Sequence, residues 1–443
     1  MKNILVIMST FAPYNSCGSI PNTKLVKYLA RQPDVKLTLI ANTPLPHEPQ
    51  DPKLLPKEMD QIRTFRVQQS PFFLKTLGRT QKAITDSGVK QKMKSARRPL
   101  QSWIVSKLKR AYIYSRTRDW ARNAIRIIKK ELRNEKYDVV YSSYPSYEAH
   151  LAAHYARKKQ IAAGWVADFR DPIAYMGYDK YGYKRSLRRQ HRIERWADHI
   201  TVVSEGAMEK FRFPDIPEEK LTYIPNGYDP EDFSISARSG PSSSGVLRLF
   251  YAGMLYEGRR DLRVLFRVIS ELMEEGRISR DSVRVEYAGS EWPSLCGFAE
   301  KYGLADICVN YGYIPRSRVM EIMSDVDVTL VCSLNTAADR GVVTGKIFEL
   351  LLVEKPIIAI INGDLPGSEL GQIIKDCEAG VVFEEATAQR DYPILKQWIQ
   401  DACERKQQMG AVAGTLLREK REQYSYAHIA QNLIEVFHAV DRQ

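Results

Sequence analysis

The sequence is poor in the marks that assign a chain at a glance. Its six cysteines (Cys17, Cys296, Cys308, Cys332, Cys377, Cys403) are scattered, with no CxxC spacing and no His/Cys cluster. This excludes a zinc ribbon or a dithiol redox motif and fits a reduced compartment. No apolar run approaches the ~20 residues that a spanning helix needs. The first apolar stretch, residues 4–8, is too short for a signal peptide, and Pro13 follows without a plausible cleavage site. The expected location is cytoplasmic. No G-x-G-x-x-G follows the first strand, so the dinucleotide fingerprint is missing. Asp325-Val-Asp327 looks like a metal-binding DxD but precedes a strand instead of ending one. Neither a metal nor a cofactor is expected.

What is present is a long alternation of short apolar strands and amphipathic helical stretches over 443 residues, enough for two domains. With 44% hydrophobic and 27% charged residues the chain reads as globular. Strands are expected at 4–8, 36–40, 139–141, 164–167, 199–203 and 221–224, with helices between them. After the Ser/Gly-rich segment 234–245, read as a linker, strands recur at 246–251, 283–288, 328–331, 356–361 and 380–383. The stretch 261–275 carries Leu262, Leu265, Val268, Ile269 and Leu272 at helical spacing. Such alternation predicts two doubly wound α/β domains, 1–233 and 246–423, each a parallel sheet flanked by helices, and a last helix within 424–443.

Residues 50–135 break the rhythm and read as a helical insertion. Between 75 and 136 there are 19 Lys/Arg against 4 Asp/Glu, so this segment accounts for the whole net charge of +13 and the rest of the chain is about neutral. Trp103, Tyr112, Tyr114 and Trp120 lie among the basic residues. A solvated helical face explains the pattern; so does a surface for anionic lipid or a lipid-linked phosphate. No nucleic-acid module accompanies it, so nucleic acid is not an expected partner.

In an open parallel sheet, ligands bind beyond the carboxyl ends of the strands. After the first strand, Gly18 precedes a helix, where it is either a turn glycine or a close backbone approach to a ligand. After the strand 164–167 come Asp168-Phe-Arg-Asp-Pro172. Here Arg170 and Asp171 are candidate acceptor-side residues, Asp171 as the group that orients or deprotonates a hydroxyl. An Asp–Arg brace of the turn is the other reading. His150 is a further catalytic candidate; with His154 it makes a same-face pair, but no third ligand is in view. In the second half, Gly253 and the pair Arg259-Arg260 form a loop suited to a diphosphate, with Arg259 a candidate for both binding and catalysis. The segment 339–349 is the strongest. Gly341 and Gly345 let the backbone approach a ligand, Thr344 suits a helix cap, and Lys346 falls in the first turn, where the dipole favours phosphate. Glu349 shares a face with Lys346 and can hold ribose hydroxyls; a surface ion pair between the two is the plainer alternative.

These segments together resemble the retaining GT-B glycosyltransferases known as family four, also called glycosyl transferases group 1. The resemblance rests on 165–172, on 197–204 and Ile224-Pro-Asn-Gly-Tyr-Asp229, on 253–259, and on Thr344-Gly-Lys-Ile-Phe-Glu349 with Lys355-Pro356. It covers nearly the whole chain outside 50–135. It implies two Rossmann-like domains with the active site in the cleft between them, a UDP- or GDP-sugar on the C-terminal domain and the acceptor on the N-terminal one. The final helix would cross back to the N-terminal domain, and transfer would retain configuration without a metal. Gly253, Arg259, Gly341, Val342, Val343, Thr344, Lys346 and Glu349 would then hold the donor, and Arg259 and Lys346 would stabilise the leaving diphosphate. The chain departs from the family at Gly341, where many members carry a glutamate that meets the sugar. The implied role is sugar transfer onto a saccharide or lipid-linked acceptor in bacterial surface polysaccharide synthesis, at the inner face of a membrane. A nucleotide-sugar epimerase of the same fold and a non-catalytic sugar-nucleotide or membrane-binding protein are the alternatives.

Overall fold

The computed structural model describes residues 1–71, 73–74, 99–145, 147–171, 173, 180–211, 216–232 and 245–441. The proposed linker and much of the basic segment lie outside these residues. The chain divides into two compact units, Met1–Val203 with Arg212–Ile224 and Ala430–Gln443, and Ser204–Phe211 with Pro225–Ile429.

The first unit is built on a seven-stranded parallel sheet: β1 (Lys2–Met8), β2 (Val35–Asn42), β3 (Arg63–Val67), β4 (Tyr137–Tyr144), β5 (Ala162–Phe169), β6 (His199–Val202) and β7 (Leu221–Tyr223), in the order 3-2-1-4-5-6-7. Strands buried on both faces must be apolar throughout, and Ile4 to Met8 are all fully buried. Helices α1 (Ser19–Ala30), α2 (Pro99–Glu131), α3 (Tyr147–Lys158) and α4 (Lys180–Trp196) connect the strands. The winding reverses between β1 and β4, so their carboxyl ends open the crevice where such sheets take ligands.

The reading of 50–135 as an insertion needs correction. Residues 63–67 are the edge strand β3, paired in parallel with β2. The second half of α2 is the crossover from β3 to β4: Trp120, Ala121, Ala124 and Ile128 are buried along one face at helical spacing. In this half Arg118, Arg122, Arg126, Lys129 and Lys130 are exposed on the other faces of an ordinary core helix.

The second unit begins with α5 (Glu205–Phe211) and carries a six-stranded parallel sheet: β8 (Leu247–Ala252), β9 (Val283–Ala288), β10 (Cys308–Gly312), β11 (Val328–Leu334), β12 (Ile357–Asn362) and β13 (Gly380–Glu384). The order is β10-β9-β8-β11-β12-β13, so the switch point lies between β8 and β11. Alternate residues feed two cores. Leu249 and Tyr251 face α6 (Arg263–Glu274), α7 (Trp292–Glu300) and α11 (Ala388–Met409). Phe250 and Ala252 face α8 (Arg316–Asp325), α9 (Lys346–Val353) and α10 (Glu369–Asp376). The five residues picked out at helical spacing on α6 are all buried in the first of these cores. Asp327 enters β11 as expected: its carboxylate accepts from the Arg248 amide (2.9 Å) and from the buried Lys406 ammonium (2.8 Å).

After α12 (Arg418–Glu422) comes α13 (Tyr426–Asp441), which from Ala430 onward belongs to the first unit. Phe437 meets Tyr141 of β4 edge-on at 5.6 Å, and Val440 fills the space left by Gly164 of β5. Among the described residues, no helix is long and apolar enough to cross a membrane.

Candidate functional site

At the switch point of the second unit, the loops after β8 and β11 converge. Lys346, the first residue of α9, reaches across and donates its ammonium to the carbonyl of Ala252, the last residue of β8. A Cβ at Gly253 would make only ordinary contact with that ammonium, at 3.5 Å; it is φ of +148° that disfavours a side chain there. Burial pulls the Lys346 pKa down, and Arg260 and Arg316 pull it further. Arg260 stacks over Tyr256 at 4.6 Å, while its Nε is buried without a hydrogen-bond partner. Arg259 lies at the exposed rim, 3.1 Å from Asp339. Among the described residues, the amides of Val343, Thr344, Gly345 and Lys346 meet no acceptor within the chain. Unpaired amides at a helix start, one ammonium and one guanidinium with an orphaned nitrogen make a crevice suited to an anion. Thr344 does not cap the helix; Gly345 holds that position, without a side-chain bond.

Glu349 lies one turn into α9, but its partner is not Lys346. Arg316, at the start of α8, donates to it at 2.8 Å and to Asp232 at 3.1 Å. Burial opposes the Arg316 charge; Glu349 and Asp232 outweigh that effect and raise its pKa. Tyr313, just past β10, is 89% exposed, leaving an open aromatic face at the same edge. A cleft of about 740 Å³ lined by Thr336, Ala338, Asp364 and Glu385 adjoins the ends of β11, β12 and β13. Its carboxylates make it the less suitable place for phosphate.

Gly341 has φ +77°, and a Cβ there would lie 2.6 Å from the Gly206 carbonyl carbon and 2.7 Å from the Ala207 nitrogen. A glycine at this position is therefore set by contact with the start of α5. Glu369 in turn accepts from the amides of Glu205 (2.9 Å) and Gly206 (3.2 Å).

At the carboxyl edge of the first unit, Gly18 sits beside Thr10 and Pro145, at the β1–β4 switch point. Asp171 is exposed just past β5, and surrounding protein volume raises its carboxyl pKa. Two expectations are corrected here. Arg170 is not directed at a ligand: its side chain is 7% exposed, donates to Asp168 at 2.8 Å and to the Ile224 carbonyl at 3.1 Å, and braces the turn. Asp168 also accepts from Ser143 and Thr201, both at 2.7 Å, which ties three strand ends together. His150 does not reach the edge either. It is fully buried against Phe169, Trp165 and Tyr144, hydrogen-bonds Ser142 at 2.8 Å, and burial lowers its pKa to about 3. His154 stacks on Trp196 at 3.9 Å and forms no pair with it.

Residues 91–232 match the family model described as Glycosyltransferase Family 4. Sucrose-phosphate synthase from Thermosynechococcus elongatus superposes with TM-score 0.61 at 14% identity, over 99% of both chains. HepE from Anabaena in complex with UDP-glucose superposes with TM-score 0.58 at 13% identity, over 99% of this chain and 100% of that one. The lipopolysaccharide outer core galactosyltransferase WaaB gives 0.55 at 12% identity, over 99% of both. Comparison with curated protein sequences found no match.

The chain has the GT-B fold.

Within this GT-B frame, Gly253, Arg259, Gly341, Val342, Val343, Thr344, Lys346 and Glu349 all lie on the carboxyl edge of the second sheet or on the first turns of α9. Arg260, Arg316 and Gly206 complete that edge and were not singled out individually in the sequence. Arg260 was legible as the second arginine of its pair. Arg316 and Gly206 belong to segments distant in sequence, so only the fold reveals them.

Proposed function

We propose that this GT-B chain is a glycosyltransferase that moves a sugar from a UDP- or GDP-sugar onto a saccharide or lipid-linked acceptor, with retention. The observation that carries the reading is the meeting of Lys346, Arg260 and the unpaired α9 amides at the β8–β11 switch point. Lys346 and Arg260, with Arg259 at the rim, would hold the diphosphate and stabilise it as it leaves. Glu349, oriented by Arg316, would accept from the ribose hydroxyls. The amides of Gly341 and Val343, with Asp339 and Arg340, would meet the sugar, since Gly341 has no side chain to offer; the Val342 amide already donates to the Asp339 carbonyl at 3.0 Å. Asp171 would orient the acceptor hydroxyl. With cations already facing the diphosphate, transfer is expected to need no metal. The basic faces of α2 suit a peripheral position on an anionic membrane, in a role such as surface polysaccharide synthesis.

Calorimetric titration with UDP, GDP and their sugars tests the donor site. Lys346→Ala and Glu349→Ala are each expected to weaken the preferred ligand more than tenfold, about 1.4 kcal/mol or more. Unchanged affinity in both variants would remove the assignment. The anomeric configuration of the product, read by NMR, decides retention.

A further inference from the structure

The proposed reading leaves the class of acceptor open, and the first unit carries a feature that narrows it. Helix α4 has the sequence KYGYKRSLRRQHRIERW, with Glu194 its one acidic residue. Glu194 is buried and bonded to Gln190 at 3.0 Å. Arg185, Arg189 and Arg192 recur at four and three residues, hence on one face, spanning about 10 Å of helix. Like charges so placed repel one another, and no carboxylate among the described residues comes within ion-pair distance of any of the three. Aromatic rings take the place of counter-ions. Arg185 and Arg189 lie over Tyr114 of α2 at 4.6 and 5.3 Å, Arg189 also lies over Tyr147 at 5.1 Å, and the Arg192 charge acts on the same Tyr147. Glu148, the neighbouring acid on α3, forms no ion pair with them; burial raises its carboxyl pKa, with the Arg116 charge opposing. Tyr147 opens α3 directly after β4, and the Tyr144 carbonyl accepts from the Arg170 amide at 3.2 Å, one residue before Asp171. The arginines therefore stand at the same carboxyl edge as Asp171.

We infer that Arg185, Arg189 and Arg192 are a receptor for a phosphate or diphosphate group carried by the acceptor. Ring stacking fixes the guanidinium planes while leaving their N–H edges available, which is the arrangement that bidentate phosphate binding uses. Two ring-stacked guanidinium groups with a third one turn on, all within about 10 Å of one helix, suit a compact dianion better than the spread charge of a bilayer. The inference rests on the transfer reading for its purpose, but its test does not.

Full-length chain bearing Lys346→Ala and Arg260→Gln, which disables the second-unit edge, is titrated with inorganic pyrophosphate and with farnesyl diphosphate. Adding Arg185→Gln, Arg189→Gln and Arg192→Gln is expected to weaken both probes more than tenfold, and the triple lysine variant to recover part of the loss. If the triple glutamine variant does not fold, Arg192→Gln alone should weaken binding at least threefold and Arg188→Gln, on the adjoining face, should not. Unchanged diphosphate affinity overturns the proposal. So does loss confined to phosphatidylglycerol vesicles, which would mark a lipid surface, or tighter arginine-dependent binding of a single-stranded RNA oligomer. Farnesyl diphosphate binding well above pyrophosphate points to a lipid-linked source, and equal binding to the phosphate alone; either supports the receptor. Failure of the wild-type chain to bind any UDP or GDP ligand would instead sink the transfer reading, whatever the arginines do.

Discussion

Gly341→Ala should lower stability by roughly 2–6 kcal/mol, and Gly341→Glu, with its larger side chain, by no less. Two costs add. The backbone at φ +77° disfavours any side chain, at about 1–3 kcal/mol. The new Cβ would also sit 2.6–2.7 Å from backbone atoms of Gly206 and Ala207, and overpacking of that kind costs about 1–3 kcal/mol. Backbone cannot swing aside as a flexible side chain would, so relief requires α5 to withdraw and forfeit the bonds from Glu205 and Gly206 to Glu369. Gly206→Ala meets the same obstacle from the other side, its Cβ 2.5 Å from the Gly341 Cα. The double variant should therefore cost less than the sum of the single ones, because α5 needs to withdraw only once. Urea unfolding followed by circular dichroism measures all three. A Gly341→Ala chain with the wild-type midpoint and slope would refute the close-contact reasoning.

Lys406→Met leaves the Asp327 carboxylate buried without its cation, and should cost about 3–5 kcal/mol by urea unfolding. His150, held neutral by burial with its pKa lowered to about 3 from 6.5, makes the fold complete above pH 6.5 and progressively weaker as pH falls toward 3. At pH 4 proton uptake by the unfolded chain costs roughly 3 kcal/mol. His150→Leu should remove that part of the acid slope, and identical pH dependence in the two chains would contradict the burial argument. Transfer with the identified donor should survive EDTA, and a strict requirement for added Mg²⁺ or Mn²⁺ would count against the roles given to Lys346 and Arg260. Arg316→Ala should weaken ribose recognition nearly as much as Glu349→Ala, with little further loss in the double variant, as measured by calorimetry.

The strands buried on both faces were legible because parallel sheets demand unbroken apolar runs; β1 and β12 stand out for that reason. The edge strands β3 and β10 did not. Arg63 and Arg66 punctuate one, and Val309 and Asn310 of the other face solvent, so neither carries the pattern. The α9 segment was legible because two glycines and a lysine cluster within a few residues, although Thr344 does not cap the helix. Arg316 was not, since its relation to Glu349 depends on how α8 and α9 pack. His150 and Arg170 show the converse: both residue types suggest chemistry, yet a strand end can be braced from beneath by such groups, and only burial tells the two roles apart.

The loop after β8 already has an anion of its own. Glu291, from the loop after β9, accepts from the amides of Leu255, Tyr256 and Glu257 at 2.6, 3.1 and 2.8 Å, and holds Tyr256 and Glu257 in left-handed conformations. The shape of this loop is thus settled during folding, not on ligand arrival. A ligand reaching Arg259 and Arg260 finds them on an ordered base, and the entropy of ordering that base does not weaken its affinity. Glu291→Gln would hand the task back to the ligand, turning a rigid rim into one that forms only around its guest.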